Sequence, residues 1–176
     1  NWELRGIKMK ILVTGAKGFV GKNLVSALYN IKEGKDRTRA DLNIEEVFEF
    51  DIDTDDGLLN KYCKEADFVF NLAGINRPQN TEEFMEGNFG FGKKLLSLLK
   101  ENNNTCPVML SSSIQAELDN PYGRSKKAGE DLVFEYGKET GTKVLVYRLP
   151  NLFGKWCRPN YNSVIATFCH NIANDK

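Results

Sequence analysis

The feature that most constrains this chain is Thr14-Gly15-Ala16-Lys17-Gly18-Phe19-Val20-Gly21, which follows the apolar run Ile11-Leu12-Val13 and opens a stretch with helical spacing. At a strand-to-helix junction each glycine has a task. Gly15 makes a tight turn, Gly18 lets backbone approach a pyrophosphate, and Gly21 lets helix and strand pack closely. The helix N-terminus supplies unpaired N–H groups and partial positive charge, so the pattern points to a dinucleotide. Three glycines also cost helix stability, a loss that a purely structural turn leaves without compensation. The rival is a nucleotide-triphosphate loop, since Gly21-Lys22 is present. That pattern needs glycine at Ala16 and a hydroxyl at Asn23, and both positions fail.

Further along, apolar runs bounded by turn signals recur: Val47 to Phe50, Phe68 to Leu72, Pro107 to Leu110 and Val144 to Tyr147. With Ile11 to Val13 they predict five buried strands. Residues 19 to 30, about 55 to 65, 81 to 101 and 122 to 140 have helical length and spacing, and a last apolar helix is expected from Val164 to Ala173. Alternating strand and helix implies a doubly wound parallel α/β sheet with helices on both faces. Between Asp51 and Phe68 there is room for a helix and no additional strand, so five strands are expected rather than six. Residues 31 to 46, rich in charge, read as a long solvated connection.

Composition removes several classes of function. Twenty-four Lys plus Arg balance 24 Asp plus Glu in 176 residues, which argues against a nucleic-acid binder that works by neutralising phosphates. No stretch approaches the roughly 18 apolar residues of a spanning helix, so no membrane partner is expected. Cys63, Cys106, Cys157 and Cys169 are far apart and His170 is the only histidine, which makes a metal site or a disulfide framework improbable. Reduced thiols fit a cytoplasmic location. Met9 opens a more natural beginning than Asn1, so residues 1 to 8 are expected to be an expression scar and 9 to 176 the dinucleotide-binding domain.

The reaction is suggested elsewhere. Ser111-Ser112-Ser113 closes the fourth strand, and Asn120-Pro121-Tyr122-Gly123-Arg124-Ser125-Lys126 opens the next helix. Spacing i to i+4 puts Tyr122 and Lys126 on one helical face, about 6 Å apart at Cβ. In such folds the ligand crevice lies at the carboxyl ends of the strands, where Ser113, the phenol and the ammonium can converge. A phenol of pKa about 10 is a poor acid or base at neutral pH, and a nearby ammonium favours phenolate, moving it toward the useful range. Serine would hydrogen-bond a substrate oxygen, and lysine could also hold ribose hydroxyls.

The glycine loop, Asn71-Leu72-Ala73-Gly74, the serine triplet, Tyr122-x-x-x-Lys126 and Arg148-x-x-Asn151-x-x-Gly154 together resemble an extended short-chain dehydrogenase/reductase of the epimerase/dehydratase superfamily. Asn76-Arg77-Pro78, Asn120-Pro121-Tyr122-Gly123 and the run from Arg148 to Cys169 resemble, more closely, the CapF-type enzymes of capsular polysaccharide synthesis. The resemblance implies a Rossmann-like fold and NADPH-dependent reduction of the C4 ketone of a UDP-2-acetamido-2,6-dideoxy-hexos-4-ulose. It makes Tyr122 the general acid, Lys126 its modulator and ribose clamp, and Ser113 the third member, with Ser112 in reserve. It places the cofactor along Gly15, Lys17, Gly18, Phe19, Val20 and Gly21, at Asp51, along Leu72, Ala73 and Gly74, and at Lys126 and Leu149. Asn88 corresponds to an asparagine on the helix behind the site. Arg148 and Asn151 are expected after the fifth strand, and Arg77, Asn151 and Asn162 are sugar-binding candidates. For the asparagines a loop or capping role competes.

Members of this superfamily carry a carboxyl-terminal substrate portion, and CapF-type enzymes a cupin domain as well, so the chain is expected to be a truncated fragment with an incomplete sugar site. The alternatives are an epimerase or 4,6-dehydratase using the same tyrosine, or a non-catalytic dinucleotide-binding regulator. The expected partner is a UDP-sugar, and a homodimer is allowed. On cofactor choice the residues and the resemblance disagree. Asp51 stands where a carboxylate hydrogen-bonds a ribose 2′-hydroxyl, which suits NAD, although it can turn toward the adenine instead. The resemblance favours NADP, for which Arg37, Arg39 or Lys17 would supply positive charge.

Overall fold

Ile11, Leu12 and Val13 are all buried, which consecutive strand residues achieve only when both faces of their sheet are covered. The computed structural model describes residues 8–75, 80–161 and 163–175 and places these three in β1 (Lys8–Thr14). There follow α1 (Phe19–Lys32), β2 (Asn43–Phe50), α2 (Asp56–Glu65), β3 (Phe68–Asn71), α3 (Glu82–Met85) and α4 (Phe91–Glu101). The chain continues through β4 (Val108–Ser113), α5 (Pro121–Thr140), β5 (Val144–Leu149) and α6 (Val164–Ala173). A π turn (Glu86–Gly90) joins α3 to α4, and a 3-10 turn (Ile114–Glu117) follows β4.

The five strands are parallel in the order β2-β1-β3-β4-β5, as the alternation predicted. From β1 the chain steps outward to β2, then passes back over β1 to β3 and continues the other way. The loops leaving β1 and β3 therefore diverge, which opens a crevice at the carboxyl edge of the sheet. α1 buries Val25 and Leu28 against Ile11, Val13, Ile44 and Val47 on one face. On the other, α2, α4 and α5 pack Leu59, Leu95, Leu99, Val133 and Tyr136 against Leu12, Phe48, Val69 and Val108. Alternation of Ile11, Leu12 and Val13 between these two cores is the period-two signature of a central strand. Cys63 and Cys106 lie in the second core, where burial pushes both thiols up to about 12, so they behave as small apolar groups. Among the described residues no helix is long and apolar enough to cross a membrane.

Four boundaries differ from expectation. The first strand begins at Lys8, one residue inside the segment set aside as a scar. β2 begins at Asn43, inside the stretch read as a loop, because an irregularity in its pairing with β1 turns both Glu45 and Glu46 outward while Ile44 stays buried. β4 closes on the three serines as expected, whereas β5 reaches Leu149, so Arg148 is a strand residue rather than part of the following segment. The helix expected over 81 to 101 widens at its middle into the π turn.

What fixes α1 against the sheet is the first turn. Gly15 has φ +67°, a left-handed conformation, and a side chain there would come within 2.8 Å of the Ala73 backbone nitrogen. Gly21 abuts the same turn so tightly that a Cβ would fall 2.0 Å from the Gly15 carbonyl oxygen, whereas at Gly18 the nearest atom would be 3.2 Å away. Gly21→Ala should therefore cost roughly 3 kcal/mol, and Gly18→Ala less than about 1 kcal/mol. Urea denaturation of the two variants checks this, and equal stabilities would show that the first turn yields.

Candidate active site

The glycine loop delivers its glycines to the edge of the crevice. Gly18 is the N-cap of α1 and no side chain caps the helix, so the first amides, at Phe19, Val20 and Gly21, stay available to an anion. Opposite, Leu72, Ala73 and Gly74 leave β3 along the same turn: the Leu72 amide bonds the Thr14 carbonyl at 3.2 Å and the Ala73 amide the Thr14 hydroxyl at 3.3 Å. Thr14 in turn donates to Asn71 at 2.8 Å, both side chains being buried. This pair, which the sequence reading passed over, ties the two loops together at the switch point of the sheet.

Asp51 follows β2 as expected, yet its carboxylate folds onto the glycine loop. One oxygen accepts from the Lys17 amide at 2.7 Å and the other from the Ile52 amide at 2.8 Å. The Lys17 ammonium pairs with Asp53, which holds the Lys17 pKa up and the Asp53 pKa down. Arg37 and Arg39 are exposed in the connection before β2.

At the carboxyl end of β4 the three serines have separate roles. Ser111 donates to the Asn71 carbonyl at 3.3 Å, Ser112 is buried against Glu130 at 2.6 Å, and Ser113 is half-buried at the end of the strand. The Ser113 hydroxyl lies close enough to the Tyr122 phenol to favour its ionised form. It also accepts from the Gln115 amide at 3.2 Å, thereby capping the 3-10 turn. The geometry thus brings Ser113, rather than Ser112, to the tyrosine. Leu149 pairs with Ser113 across the β4–β5 ladder, at the same edge.

Tyr122 and Lys126 leave the first turns of α5, whose start is fixed by the Asn120 cap on the Gly123 amide at 2.8 Å. Gly123 permits this approach, since a Cβ there would fall 2.3 Å from the Gln115 and Leu118 carbonyl oxygens. The Lys126 ammonium lies 5.8 Å from the centre of the Tyr122 ring and 3.4 Å from the Ser111 carbonyl. On the far side the Phe84 ring tilts against Tyr122 at 5.5 Å. Asn88, in the π turn, accepts from the Ile75 amide at 3.1 Å and donates to the Ile75 carbonyl and to Ser125, pinning the segment that leaves β3 against α5.

The electrostatics depart from expectation at one point. Burial raises the Tyr122 pKa, the nearby Ser113 hydroxyl opposes that rise, and Lys126 does not pull it down. The lysine itself is shifted, because burial, with no carboxylate partner among the described residues, pushes it down to about 8. Asn151 is exposed in the segment after β5, and Asn23 ties that segment to α1 by donating to the Lys155 carbonyl at 2.8 Å. Arg77 and Asn162, together with Asn76 and Pro78, lie outside the described residues. Sequence reasoning also missed Glu130, which is 1% exposed, although its place four residues after Lys126 put it on the same face of α5.

Residues 11–176 match the family model described as the NAD dependent epimerase/dehydratase family. A UDP-2-acetamido-2,6-beta-L-arabino-hexul-4-ose reductase of Pseudomonas aeruginosa is 46% identical over 167 residues, 95% of this chain and 42% of that protein. The crystal structure of the capsular polysaccharide assembling protein CapF from Staphylococcus aureus superposes with a TM-score of 0.78 at 47% identity, over 96% of this chain and 42% of that one. RMD from Pseudomonas aeruginosa complexed with NADPH gives a TM-score of 0.71 at 25% identity, over 94% of this chain and 62% of that one. The chain thus spans about two-fifths of the length of the first two.

The buried ammonium sets a testable sign. The folded pKa of Lys126 lies below its unfolded value, so below about pH 8 both states are protonated and the full desolvation cost opposes folding. Above that pH the native state sheds the proton first, and stability recovers until the unfolded lysine also titrates. Lys126→Met should therefore stabilise the ligand-free protein at pH 7 by on the order of 2 kcal/mol, allowing for residual solvent access. The gain should shrink as pH rises through 8 to 10. Chemical denaturation across that range checks it, and a loss of stability at pH 7 would mean the ammonium is well paired.

Proposed function

The chain belongs to the NAD dependent epimerase/dehydratase family, and from that premise we propose that it carries the cofactor site and catalytic residues of a nucleotide-sugar reductase. The substrate class is a UDP-2-acetamido-2,6-dideoxy-hexos-4-ulose, reduced at its C4 ketone. One observation carries the reading: Ser113, Tyr122 and Lys126 gather at the carboxyl edge of the sheet, beside an uncapped helix, in a chain 46% identical to a reductase of such a sugar.

The residues fit a dinucleotide. The α1 N-terminus takes the pyrophosphate and Gly18 leaves it room, while Lys126, close to Gly74, lies near enough to the crevice to hold ribose hydroxyls. Bound there, the reduced nicotinamide supplies hydride to the sugar C4 carbon. As the new C–H bond forms, the π pair of the ketone moves onto oxygen and takes the phenolic proton of Tyr122, leaving an alcohol and a tyrosinate that recovers its proton from solvent. A raised phenol pKa suits this direction, because the tyrosine must begin protonated to act as an acid. Ser113 orients the ketone oxygen. Lys126, 5.8 Å from the centre of the phenol ring in the ligand-free chain, would steady the tyrosinate in the bound complex. Arg77, Asn151 and Asn162 are proposed to meet the sugar nucleotide. A cytoplasmic site of action follows from the two soluble substrates.

Tyr122→Phe in the intact protein should lower kcat by a factor on the order of 10² to 10⁴ with dinucleotide affinity nearly unchanged. Near-normal turnover against a panel of UDP-4-keto sugars would remove Tyr122 from the chemistry.

For the cofactor we favour NADPH. Asp51 already holds the Lys17 and Ile52 amides, which weakens its claim on a ribose hydroxyl, and the Lys17 ammonium stands beside the loop that would meet the adenosine. Fluorescence titration should show NADPH binding more tightly than NADH. A tenfold preference for NADH, about 1.4 kcal/mol, would overturn the choice.

A further inference from the structure

One turn beyond Lys126, α5 carries Glu130 eight residues after Tyr122, on the same side of the helix. Its buried carboxylate accepts three hydrogen bonds: from Ser112 at 2.6 Å, from Arg148 Nε at 2.8 Å and from Arg148 Nη2 at 2.7 Å. The third nitrogen of the same guanidinium, Nη1, donates to Glu117 at 2.6 Å. Ser112 lies between Ser111, whose carbonyl meets Lys126, and Ser113, which meets Tyr122. Glu117 closes the 3-10 turn that Ser113 caps and that leads into α5. One guanidinium on β5 thus grips the connection between Ser113 and Tyr122 at Glu117 and the helix that follows it at Glu130, and one carboxylate locks α5 to β4 at Ser112, the residue between Ser111 and Ser113.

We propose that Glu130 and Arg148, through their forked pairing and the Ser112 bond, are positioning residues that set the distance between the Ser113 hydroxyl and the Tyr122 phenol. The proposal rests on the reductase reading above. Glu130 is buried and all three guanidinium nitrogens of Arg148 are taken by carboxylates, so their action is indirect, and the planar fork matters more than the charge: two parallel bonds fix orientation where a lysine would fix only proximity. A slip of about 1 Å in such a geometry costs on the order of a hundredfold in rate.

The test uses the intact protein with NADPH and a UDP-4-keto sugar. Glu130→Gln and Arg148→Lys should each lower kcat by roughly ten- to a hundredfold, with the NADPH dissociation constant within about threefold of the parent. In a Tyr122→Phe background, Glu130→Gln should cost less than about threefold more, because the geometry it maintains no longer serves a proton donor. Ser112→Ala, which leaves the ion pair in place and is the gentler change to folding, should lower kcat several-fold with unchanged NADPH affinity. Parent-like kcat in Ser112→Ala, or in a folded Glu130→Gln or Arg148→Lys, overturns the proposal. So does a loss of NADPH affinity parallel to kcat, or a full multiplicative loss in the Tyr122→Phe background, either of which marks general structural damage. Tyr122→Phe measured alone separates this result from failure of the reductase reading, since that reading falls only if the single variant keeps its turnover.

Discussion

The backbone contact between Gly15, Gly21 and Ala73 is the constraint on which the crevice depends. A parallel sheet needs helices on both faces, and α1 must start within a few residues of the end of β1. It does so only because three backbone segments meet without side chains between them. A glycine inside a helix costs about 1 kcal/mol relative to alanine. Here that cost secures a helix N-terminus aimed across the ends of β1 and β3. The buried Thr14–Asn71 bond joins the same two strands, so the loops on either side of the crevice share one rigid base.

The second structural theme is the different treatment of two buried charges on one helix. Glu130 has three donors, and Arg148 holds its pKa down. Lys126, one turn away, has among the described residues a single long hydrogen bond, to a carbonyl, and burial moves its pKa in the direction that disfavours the ion. A saturated carboxylate anchors, because moving it would strand a buried charge. An undersatisfied ammonium has bonding capacity left for a ligand, and its desolvation cost is relieved once ribose hydroxyls or a developing tyrosinate approach. The contrast explains why α5 can be at once a rigid support and the carrier of reactive groups.

Periodicity and motif spacing made much of this legible. The five strands, their parallel arrangement and the glycine loop were readable because central parallel strands are uninterrupted apolar runs and each glycine has a steric task. The start of β2 was hidden, since an irregular pairing puts Glu45 and Glu46 on the outside and imitates a solvated loop. The π turn was hidden too, because Asn88 acts through a contact with Ile75, 13 residues away in the chain, that no local pattern encodes. At the candidate site, the meeting of Ser113, Tyr122 and Lys126 could be anticipated from order and spacing. Glu130 could not, because an acidic residue on a helix is ordinarily solvated and its burial depends on an arginine 18 positions later. The phenol pKa also escaped the reading, which weighed the nearby ammonium and left out the burial that acts on both groups.

The acidic surroundings of Lys17 bear on the cofactor in a similar way. Asp53, Asp51 and Glu49 all favour its protonated form, so the ammonium is held charged at the rim of the glycine loop. Three carboxylates around one lysine, taken as bare charges, would repel a 2′-phosphate. Two of the groups are spoken for, however: Asp51 accepts from backbone amides, and Asp53 is matched by Lys17 itself. Both partners of the Lys17–Asp53 pair are more than half exposed, at 61% and 59%, and an ion pair in that setting contributes little to stability. Exchanging Asp53 for a phosphate would trade one well-hydrated contact for another with more charge, on a flexible four-carbon stem that needs no backbone movement. The local field therefore does not decide against a phosphorylated ribose. The deciding quantity is how readily the Lys17 side chain leaves Asp53, and its exposure makes that exchange inexpensive.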